Sequence, residues 1–480
     1  MLRDGRFAAG ALLAAHARNR GRQPAVIGPR HAWTWEALHR EVVLLTERLV
    51  SRGIGPGCRV GIHGFNGPSW LVAATAVAAA GGVLVPLNVR WAAHEQEEWL
   101  ERSGALGVLD CSDDDCEVSS VWRSLPAGKA AAEIARVSEL LTLMATSGST
   151  GKPRGIGLTS GNHAAHALAH AGQTGLSAED RVLVVLPLFH IGGLNAWWRA
   201  LGSGCTTILL PRFAVSAVAA AFRDHAPTMA SMTGTMLKDL LAADVRPGPA
   251  MRYLLAGGEA LAEELGVALP MVRASYGMTE TCGHVAFGNP GGRDRDGLRV
   301  QPGTKVVVRD AEGRVAAAGM PGRIHVSGPT TCAGWLDPEG CWQPREHGAW
   351  LETEDLGTLT ETGRLVILPR PAERIVSGGE NISPFEIEAV LESLPELTGA
   401  LVAGVPDARW GMRPAALVVA AAGVPEAMVR QAIADALQAR LGSFKHPGSI
   451  HLVDNLPVLA SGKRDRQAGA RMLADRTRAD

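Results

Sequence analysis

The chain has 480 residues, with 47 lysines and arginines against 48 aspartates and glutamates, and a formal net charge of −1. This length predicts more than one domain. The balanced charge provides no basic field for nucleic acid, so nucleic-acid binding is disfavoured. The longest apolar run, residues 71–87, is broken by Gly81, Gly82 and Pro86. It predicts a buried helix and strand rather than a membrane span.

Cysteine usage and the N-terminal residues favour a cytoplasmic protein. The seven cysteines are odd in number and form no C-x-x-C pair, so neither a disulfide framework nor a zinc site is predicted. The first residues carry charges of both signs, and the alanine-rich stretch that follows is interrupted by His16, Arg18 and Arg20. This stretch lacks the apolar core of a signal peptide, so export is not expected.

Helices and strands alternate along the first 260 residues. Thr34 is predicted to cap a helix that runs to about Val50, before a strand over 59–62. Further helices are predicted over 69–80, 95–102, 162–174, 194–201 and 215–225, and strands over 83–85, 106–109, 141–144, 181–186, 206–210 and 253–256. Such alternation is typical of an α/β fold with parallel sheets.

Residues 290–363 differ from the preceding sequence in their pattern of apolar and turn-forming residues. Short β-like runs, such as 304–309 and 323–326, are separated by turn residues and predict a small β-rich part. Pro369 and Pro371 then mark a linker, after which a new α/β pattern begins. We therefore expect a large domain over residues 1–369 and a smaller α/β domain over residues 370–480.

The segment 146–155 reads Thr-Ser-Gly-Ser-Thr-Gly-Lys-Pro-Arg-Gly and directly follows the predicted strand over 141–144. Its glycines let backbone N–H groups approach phosphate oxygens, while its hydroxyls and Lys152 add donors and positive charge. Thr146 in place of the first glycine, with Pro153 after the lysine, argues against a Walker A loop. A flexible linker is the alternative, but linkers seldom follow an apolar strand directly. The segment predicts a nucleotide site.

Further motifs follow this loop in order. They are Tyr-Gly-Met-Thr-Glu at 276–280, Thr-Glu-Asp-Leu-Gly at 353–357, Arg370 with Ser-Gly-Gly-Glu-Asn-Ile at 377–382, and Pro-Val-Leu-Ala-Ser-Gly-Lys at 457–463. With Leu-Pro-Leu-Phe-His at 186–190 and Ala-Gly-Gly-Glu-Ala at 256–260, the set resembles the AMP-forming acyl-CoA synthetases, or adenylate-forming enzymes. The resemblance covers nearly the whole chain and implies a large N-terminal domain of α/β subdomains with a mobile C-terminal lid.

The resemblance implies an ATP site with magnesium. Thr150 and Glu280 match the magnesium contacts, and hard oxygen ligands suit that ion. Tyr276 matches the ring that stacks on adenine, and Asp355 the acid that accepts hydrogen bonds from the ribose hydroxyls. The remaining nucleotide-site positions are Thr146, Ser147, Gly148, Ser149, Gly151 and Lys152 around the phosphates, Gly257, Gly258, Glu259 and Ala260 along the base, Gly277, Met278 and Thr279 after the tyrosine, and Arg370 at the domain junction.

Other positions correspond to the reaction with coenzyme A (CoA). Lys463, beside a glycine, matches the lysine that stabilises the adenylation transition state, and only Lys445 competes with it among the last 35 residues. Ser377, Gly378 and Gly379 match the segment that faces the thiol tunnel after rotation of the lid. His190 matches a histidine at the acyl pocket, with a packed core histidine as an equal alternative.

Each role has a simpler alternative: a core ring for Tyr276, a solvated acid for Glu280, a turn residue for Asp355, a linker cation for Arg370 and a surface lysine for Lys463. The chain also departs from the family pattern. Glu354 replaces a glycine beside Asp355, Pro369 replaces a glycine before Arg370, and Ala372 replaces a polar hinge residue. These changes are expected to weaken ATP binding or alter domain rotation, while the principal catalytic positions are retained.

Three functions therefore follow, in order of preference: a CoA ligase, an adenylating enzyme that loads a carrier protein, and a degenerate protein that binds nucleotide without turnover. Family substrates include fatty, aryl, dicarboxylic and amino acids, and the chain is most similar to short members such as o-succinylbenzoate-CoA ligases. Arg199 is a candidate for pairing with a second substrate carboxylate, although a helix-surface arginine is favoured. The sequence leaves the oligomeric state open, a homodimer included.

Overall fold

The computed structural model describes residues 2–3, 6–112, 121–124, 139–146, 154–257, 263–289, 297–368, 375–457 and 465–479. The chain forms two compact units. The larger contains Met1–Asn88, Leu100–Ala145 and Gly155–Leu368, and the smaller contains Val89–Trp99, Thr146–Arg154 and Pro369–Asp480. None of the helices in these described ranges combines the length and the apolarity needed to cross a membrane.

The first part of the chain alternates helices and strands, as predicted. The elements are β1 (Leu2–Arg3), β2 (Arg6–Phe7), α1 (Ala9–Arg20), β3 (Pro24–Ile27), β4 (Ala32–Thr34), α2 (Trp35–Ser51), β5 (Arg59–His63), α3 (Pro68–Ala79), β6 (Val83–Pro86), α4 (Ala93–Ser103), β7 (Gly107–Asp110) and β8 (Val121–Ser124). The Thr34 hydroxyl accepts a hydrogen bond of 3.2 Å from the Ala37 N–H, which confirms the predicted N-cap of α2. Helix α3 and strand β6 are buried, as the apolar run 71–87 predicted.

The second part supplies the strands whose carboxyl ends carry the candidate site. Its elements are β9 (Leu140–Thr146), β10 (Arg154–Thr159), α5 (Ser160–Thr174), β11 (Arg181–Val184), α6 (Ile191–Ser203), β12 (Thr206–Leu209), α7 (Val215–His225), β13 (Met229–Met232), α8 (Gly234–Ala242), β14 (Tyr253–Gly257), α9 (Glu263–Ala268), β15 (Val272–Met278) and β16 (Gly283–Gly288). Strand β13 and helix α8 were not predicted. Strand β13 lies between β11 and β14 and pairs in parallel with both.

Two large sheets organise the larger unit. One has the order β3 next to β12, then β11, β13, β14 and β15, all parallel, with antiparallel β4 and β16 at its ends. The other joins β5, β6, β7 and β9 in parallel. One apolar cluster contains side chains from both sheets and from α1, α2, α3 and α6, including Trp35, Trp70, Trp197 and Trp198. The predicted parallel sheets are confirmed, and antiparallel strands complete their edges.

The predicted β-rich part is also confirmed. It contains β17 (Arg299–Val300), β18 (Lys305–Arg309), β19 (Gly322–Ser327), β20 (Gly334–Leu336), β21 (Trp342–Pro344), β22 (Leu351–Leu359) and β23 (Leu365–Ile367). Strands β18, β19, β22 and β23 form an antiparallel four-stranded sheet. The other three extend the edges of the large sheets, with β20 on β10, β21 on β20 and β17 on β16.

The smaller unit has its own α/β core. It contains β24 (Ile375–Ser377), β25 (Glu380–Ile382), α10 (Pro384–Glu392), β26 (Leu397–Asp407), β27 (Gly411–Ala420), α11 (Glu426–Arg440), β28 (Ser449–Leu452) and α12 (Arg466–Ala479). A long antiparallel pair, β26 with β27, forms its centre, and β28 lies parallel to β27. Ile387, Leu391, Val402, Val418 and Ile433 are buried in its apolar core.

A buried ion pair fixes α12 to this core. Both carboxylate oxygens of Glu388 accept hydrogen bonds from the Arg466 guanidinium, at 2.7 and 2.6 Å, and one of them also accepts the Val402 N–H at 2.7 Å. Glu388 is buried, so removal of its cationic partner would leave a charge inside the protein. This pair sets the position of α12, which follows directly after the segment that carries Lys463.

We expect Arg466→Ala to lower the free energy of unfolding of the smaller unit by about 3–5 kcal/mol, since it strands the Glu388 carboxylate. Urea denaturation followed by circular dichroism would measure the change. Arg471→Ala, on an exposed position of the same helix, is the matched control and should shift the transition little. Equal shifts for the two variants would contradict the buried-pair argument.

Candidate functional site

The predicted nucleotide positions lie where parallel strands end. Ala256 pairs with Ala274 and Gly257 with Ser275, so the carboxyl end of β14 lies beside the middle of β15, whose last residue is Met278. Ligands of open α/β sheets bind at this edge. A side chain on Gly277 would meet the backbone of Gly283 and His284, and one on Gly257 would meet the Ser275 hydroxyl. The backbone contacts at Gly277 therefore require glycine there, whereas a side chain at Gly257 would require the Ser275 hydroxyl to move.

Tyr276 and Asp355 form a direct pair at this edge. The tyrosine hydroxyl donates a hydrogen bond of 2.9 Å to an Asp355 carboxylate oxygen, and both side chains are buried. The Thr353 hydroxyl accepts the Asp355 N–H at 3.2 Å and donates to the Ile324 carbonyl at 2.8 Å, which fixes the strand that carries the aspartate. The contact brings together the two residues predicted for adenine and ribose. The Tyr276 ring also packs in an apolar cluster, as the core-ring alternative expected.

Glu354, the acid that replaces a glycine, lies away from Asp355. In β22 the side chains of Thr353 and Asp355 are buried, whereas Glu354 between them is exposed. Successive side chains of a strand point to opposite faces, so Glu354 is on the other face of β22 from the Asp355 carboxylate.

Glu280 lies in the tight turn after β15. Met278 ends the strand, and Thr279–Thr281 form a short 3-10 helix in which Glu280 is half-buried. The Glu280 carbonyl accepts the Cys332 N–H at 2.8 Å, which holds this turn against the β-rich part. The strands β9 and β10 flank the predicted phosphate loop, and Thr146 is the last residue of β9. The other phosphate-loop positions, Ser147, Gly148, Ser149, Thr150, Gly151 and Lys152, lie outside the described residues, as do Gly258, Glu259 and Ala260.

In the smaller unit, Gly378 and Gly379 form the two-residue turn between β24 and β25. Their φ angles of 56° and 85° are both positive, and Ser377 pairs with Glu380 across the hairpin. Such a turn favours glycine at both positions. A side chain on Gly378 would also meet the Trp410 ring, and its N–H donates to the Trp410 carbonyl at 3.0 Å. Arg370 and Lys463 lie outside the described residues.

Lys445, the other lysine near the C-terminus, has a structural role. Its ammonium group is buried and lies 2.6 Å from a Glu95 oxygen and 2.7 Å from a Glu386 oxygen. Burial raises the pKa of the Glu386 carboxyl, while the nearby ammonium opposes this shift. A lysine held by two carboxylates is not available to a nucleotide, so Lys463 remains as the catalytic candidate of the two.

His190 and Arg199 both belong to the α6 region. His190 is the N-cap residue of α6, is half-buried, and packs against Phe189 with ring centroids 4.7 Å apart. Its predicted place at the acyl pocket remains a prediction. Arg199 is only 5% exposed, so the favoured prediction of a helix-surface arginine is wrong. Its side chain reaches from α6 to His170 of α5 and Ser231 of β13.

Arg199 is a buried cation whose two hydrogen-bond partners are uncharged. Its guanidinium donates to His170 Nδ1 and to the Ser231 hydroxyl, both at 3.3 Å. Within the described part of the chain, no carboxylate lies at ion-pair distance from it. Burial lowers the pKa of Arg199 to about 10, because desolvation disfavours the charged form.

Strand register places this cation relative to the predicted nucleotide site. Ser231 pairs with Leu255, two residues before Gly257 on β14. Two residues of a strand span about 7 Å, so Ser231 lies about that far below the edge where Gly257 ends β14. Arg199, Ser231, Tyr253 and Leu255 line one small cavity with His170. Sequence reasoning named Arg199 as a candidate but missed its partners His170 and Ser231. The spacing of His163, His166 and His170 on one helical face was the available signal.

Comparison with known proteins identifies the class. Residues 13–336 match the AMP-binding enzyme family model, and residues 386–463 match the model of the AMP-binding enzyme C-terminal domain. The chain belongs to the AMP-binding enzyme family. Among curated relatives, the 2-succinylbenzoate–CoA ligase of Bacillus licheniformis is 34% identical over 457 residues, covering 92% of this chain and 95% of the relative. The Bacillus subtilis ligase of the same name is 33% identical, covering 87% and 89% of the two chains.

Solved structures agree with this assignment. The o-succinylbenzoate CoA synthetase of Bacillus subtilis, as a double mutant bound to its product analogue OSB-NCoA, has a TM-score of 0.83 at 30% identity and covers 95% of this chain and 97% of its own. The same enzyme in complex with ATP and magnesium has a TM-score of 0.67 at 29% identity, covering 96% of this chain and 99% of its own. The α/β fold predicted from the sequence is therefore confirmed.

The Tyr276–Asp355 contact generates a prediction about ATP affinity. Tyr276→Phe retains the ring and removes one hydrogen bond to a carboxylate, a loss of about 1.5–3 kcal/mol for such bonds. We expect the KM for ATP to rise about 10-fold or more in Tyr276→Phe, with the KM for the acid little changed. Tyr253→Phe, the same change at the other tyrosine, is the control. An unaltered KM for ATP in Tyr276→Phe would contradict a nucleotide role for the pair.

Proposed function

We propose that the protein is an ATP-dependent ligase that joins an aromatic dicarboxylic acid of the 2-succinylbenzoate type to CoA. The observation that carries the choice of acid is the buried Arg199 guanidinium, which lies below the predicted nucleotide edge of the sheet and is held by His170 and Ser231 rather than by a carboxylate. A bound dicarboxylate would supply the missing negative charge. The relatives that bear the 2-succinylbenzoate–CoA ligase name support the same acid.

The reaction has two steps. In the first, an oxygen of the acid attacks the α-phosphorus of ATP, and pyrophosphate leaves to give an acyl-adenylate. In the second, the CoA thiol attacks the acyl carbonyl and loses its proton, and AMP leaves. Asp355 would accept the ribose hydroxyls, and Tyr276 would lie against the base while its hydroxyl orients the Asp355 carboxylate. The fixed strand geometry around this pair orients the nucleotide for in-line attack.

Magnesium fits the residues at the end of β15. Glu280 is a half-buried carboxylate in a turn whose backbone is fixed by Cys332, and magnesium in such enzymes is bound by one or two carboxylates together with substrate phosphates and water. Glu280 and Thr150 would hold the ion, which neutralises charge on the departing pyrophosphate. Within the described ranges no group of three or more histidine, cysteine or acidic residues could hold a metal ion.

Lys463 would supply the cation for adenylation. Its competitor, Lys445, is already bonded to two carboxylates, and the helix after Lys463 is fixed by the Arg466–Glu388 pair. A charge brought to the α-phosphate only in the transition state accelerates the chemical step rather than substrate binding. Ser377, Gly378 and Gly379 would border the CoA thiol path in the second step. We also propose a cytoplasmic location, where ATP and CoA are available and the cysteines remain reduced.

Acid-dependent pyrophosphate release tests the proposal. The wild-type protein, given ATP and magnesium, is assayed with 2-succinylbenzoate, fatty acids and simple aryl acids, with and without CoA. We expect release with 2-succinylbenzoate and acyl-CoA formation when CoA is present. Lys463→Ala should lose at least about 100-fold in the adenylation rate, as expected when one preorganised transition-state donor is removed. Lys305→Ala, at an exposed lysine, is the control.

The outcomes separate the three functions. Pyrophosphate release without CoA consumption would favour a carrier protein as acceptor, and nucleotide binding without release from any acid would favour a protein that does not turn over. Release with a fatty acid in preference to 2-succinylbenzoate would overturn the proposed substrate class while leaving the ligase reaction intact.

Arg199 provides a second test. Arg199→Met keeps an apolar stem of similar length and removes the charge, so we expect at least a 100-fold loss of kcat/KM for 2-succinylbenzoate, which corresponds to about 3 kcal/mol. The variant should fold, because the described chain holds no carboxylate that it would leave unpaired. Arg199→Lys should retain part of the activity. Equal kcat/KM for wild type and Arg199→Met would show that Arg199 does not bind the acid.

A further inference from the structure

One histidine contacts the Arg199 guanidinium in the interior of the larger unit, and two more histidines lie next to that one. His166 and His170 lie one turn apart on α5, and His284 lies on β16, and all three are buried. His166 Nε2 is 3.3 Å from His284 Nδ1, and the His170 and His284 ring centroids are 5.3 Å apart. His170 accepts a hydrogen bond from Arg199 through Nδ1. The histidines and the arginine therefore form one connected polar cluster.

Hydrogen-bond geometry fixes the protonation of His170. A guanidinium only donates, so the Nδ1 atom 3.3 Å from Arg199 must carry a lone pair, and His170 is the neutral tautomer with its proton on Nε2. Burial, together with the nearby Arg199 charge, holds the pKa of His170 well below its usual value. Arg199 therefore contributes the positive charge of the cluster at neutral pH.

The His166–His284 pair has one imidazole N–H donor for which the described residues provide no acceptor. Two neutral imidazoles joined by one hydrogen bond have a second N–H, and it lies on whichever ring accepts the first. The two outer nitrogens, His166 Nδ1 and His284 Nε2, are buried and have no hydrogen-bond partner within the described residues. Whichever tautomers are adopted, one buried N–H lacks an acceptor. Such a group is costly unless a ligand satisfies it.

His163, on the same face of α5, shows the contrast. Its Nε2 lies 3.0 Å from the Thr142 hydroxyl, and its Nδ1 lies 3.0 Å from the Asn195 side-chain oxygen. Both ring nitrogens are therefore satisfied within the fold. Among the three histidines of this helix face and His284, the unmet donor belongs to the His166–His284 pair. A cation near an unsatisfied donor is suited to an anionic acceptor.

We propose that His166 and His284 are specificity-determining residues that, with Arg199, bind the second carboxylate of the acid and select dicarboxylic over monocarboxylic substrates. This inference rests on the proposed function, because it assigns recognition residues to the same acid. The carboxylate provides the hydrogen-bond acceptor that the paired imidazoles lack. It also provides a negatively charged partner for the Arg199 guanidinium. An acid without that carboxylate leaves the imidazole N–H and the Arg199 guanidinium buried without an anionic partner. Polar sites reject substrate analogues in this way.

The test compares acids that differ by one carboxylate. The kcat/KM for CoA-thioester formation is measured with 2-succinylbenzoate, 4-oxo-4-phenylbutanoate and 2-butanoylbenzoate, so that either carboxylate is removed in turn. We expect the wild type to prefer the diacid at least 100-fold over each analogue. His166→Leu and His284→Leu should each reduce that preference at least 10-fold through a higher KM for the diacid, while His284→Gln, which retains an N–H, should keep most of it.

His163→Leu is the matched control, since it removes a buried imidazole from the same helix face but one that is already satisfied. It should lower the free energy of unfolding and leave the diacid preference unchanged. A histidine 15N NMR titration of the wild type adds a measurement that requires no variant. 2-Succinylbenzoate should shift the 15N resonances of the outer ring nitrogens of His166 and His284, and the two monocarboxylic analogues should not.

The outcomes distinguish this inference from the proposed function. A wild type that prefers the diacid, with the same preference retained in His166→Leu and His284→Leu, overturns the histidine assignment and leaves the ligase proposal standing. Diacid turnover without any shift of the two imidazole resonances has the same meaning. A wild type that activates neither the diacid nor its analogues overturns both.

Discussion

The parallel register of β13, β14 and β15 is the constraint on which the site depends. It places Ser231 beside Leu255, and Gly257 beside Ser275, so residues far apart in the sequence meet at one sheet edge. Gly257 and Gly277 have no side chains, so neighbouring strands approach closely at both positions. Strand β22 places Asp355 within hydrogen-bond distance of Tyr276. The predicted nucleotide edge and Ser231, which contacts the buried Arg199, thus lie at two levels of one sheet.

The sequence predicted the elements well because their signals are local. Alternating apolar segments defined the strands, and the Thr34 cap defined the start of α2. Strand β13 was missed since its four residues are short and are followed immediately by α8. The tight turn at Gly378 and Gly379 was recognised as a motif, but its positive φ angles and its contact with Trp410 depend on tertiary packing.

Side-chain surroundings were the less predictable part. Arg199 was expected on a helix surface because its own sequence gives no sign of burial, whereas packing of α6 against β13 places its guanidinium beside Ser231. Lys445 and Lys463 were competing candidates in the sequence. The contacts of Lys445 with Glu95 and Glu386 come from segments 350 and 59 residues away, which no local pattern could reveal.

The buried charge of Arg199 also affects how strongly the proposed acid site can discriminate between substrates. An apolar pocket discriminates poorly between acids that differ by one polar group, because it loses little when that group is absent. The proposed site, with a buried guanidinium and a buried unsatisfied imidazole N–H, would behave differently, since each analogue would leave those groups without partners. The same groups destabilise the unliganded protein. His163 on the same helix face has both ring nitrogens satisfied within the fold, so we infer that the unsatisfied groups beside it serve recognition of an anion rather than stability.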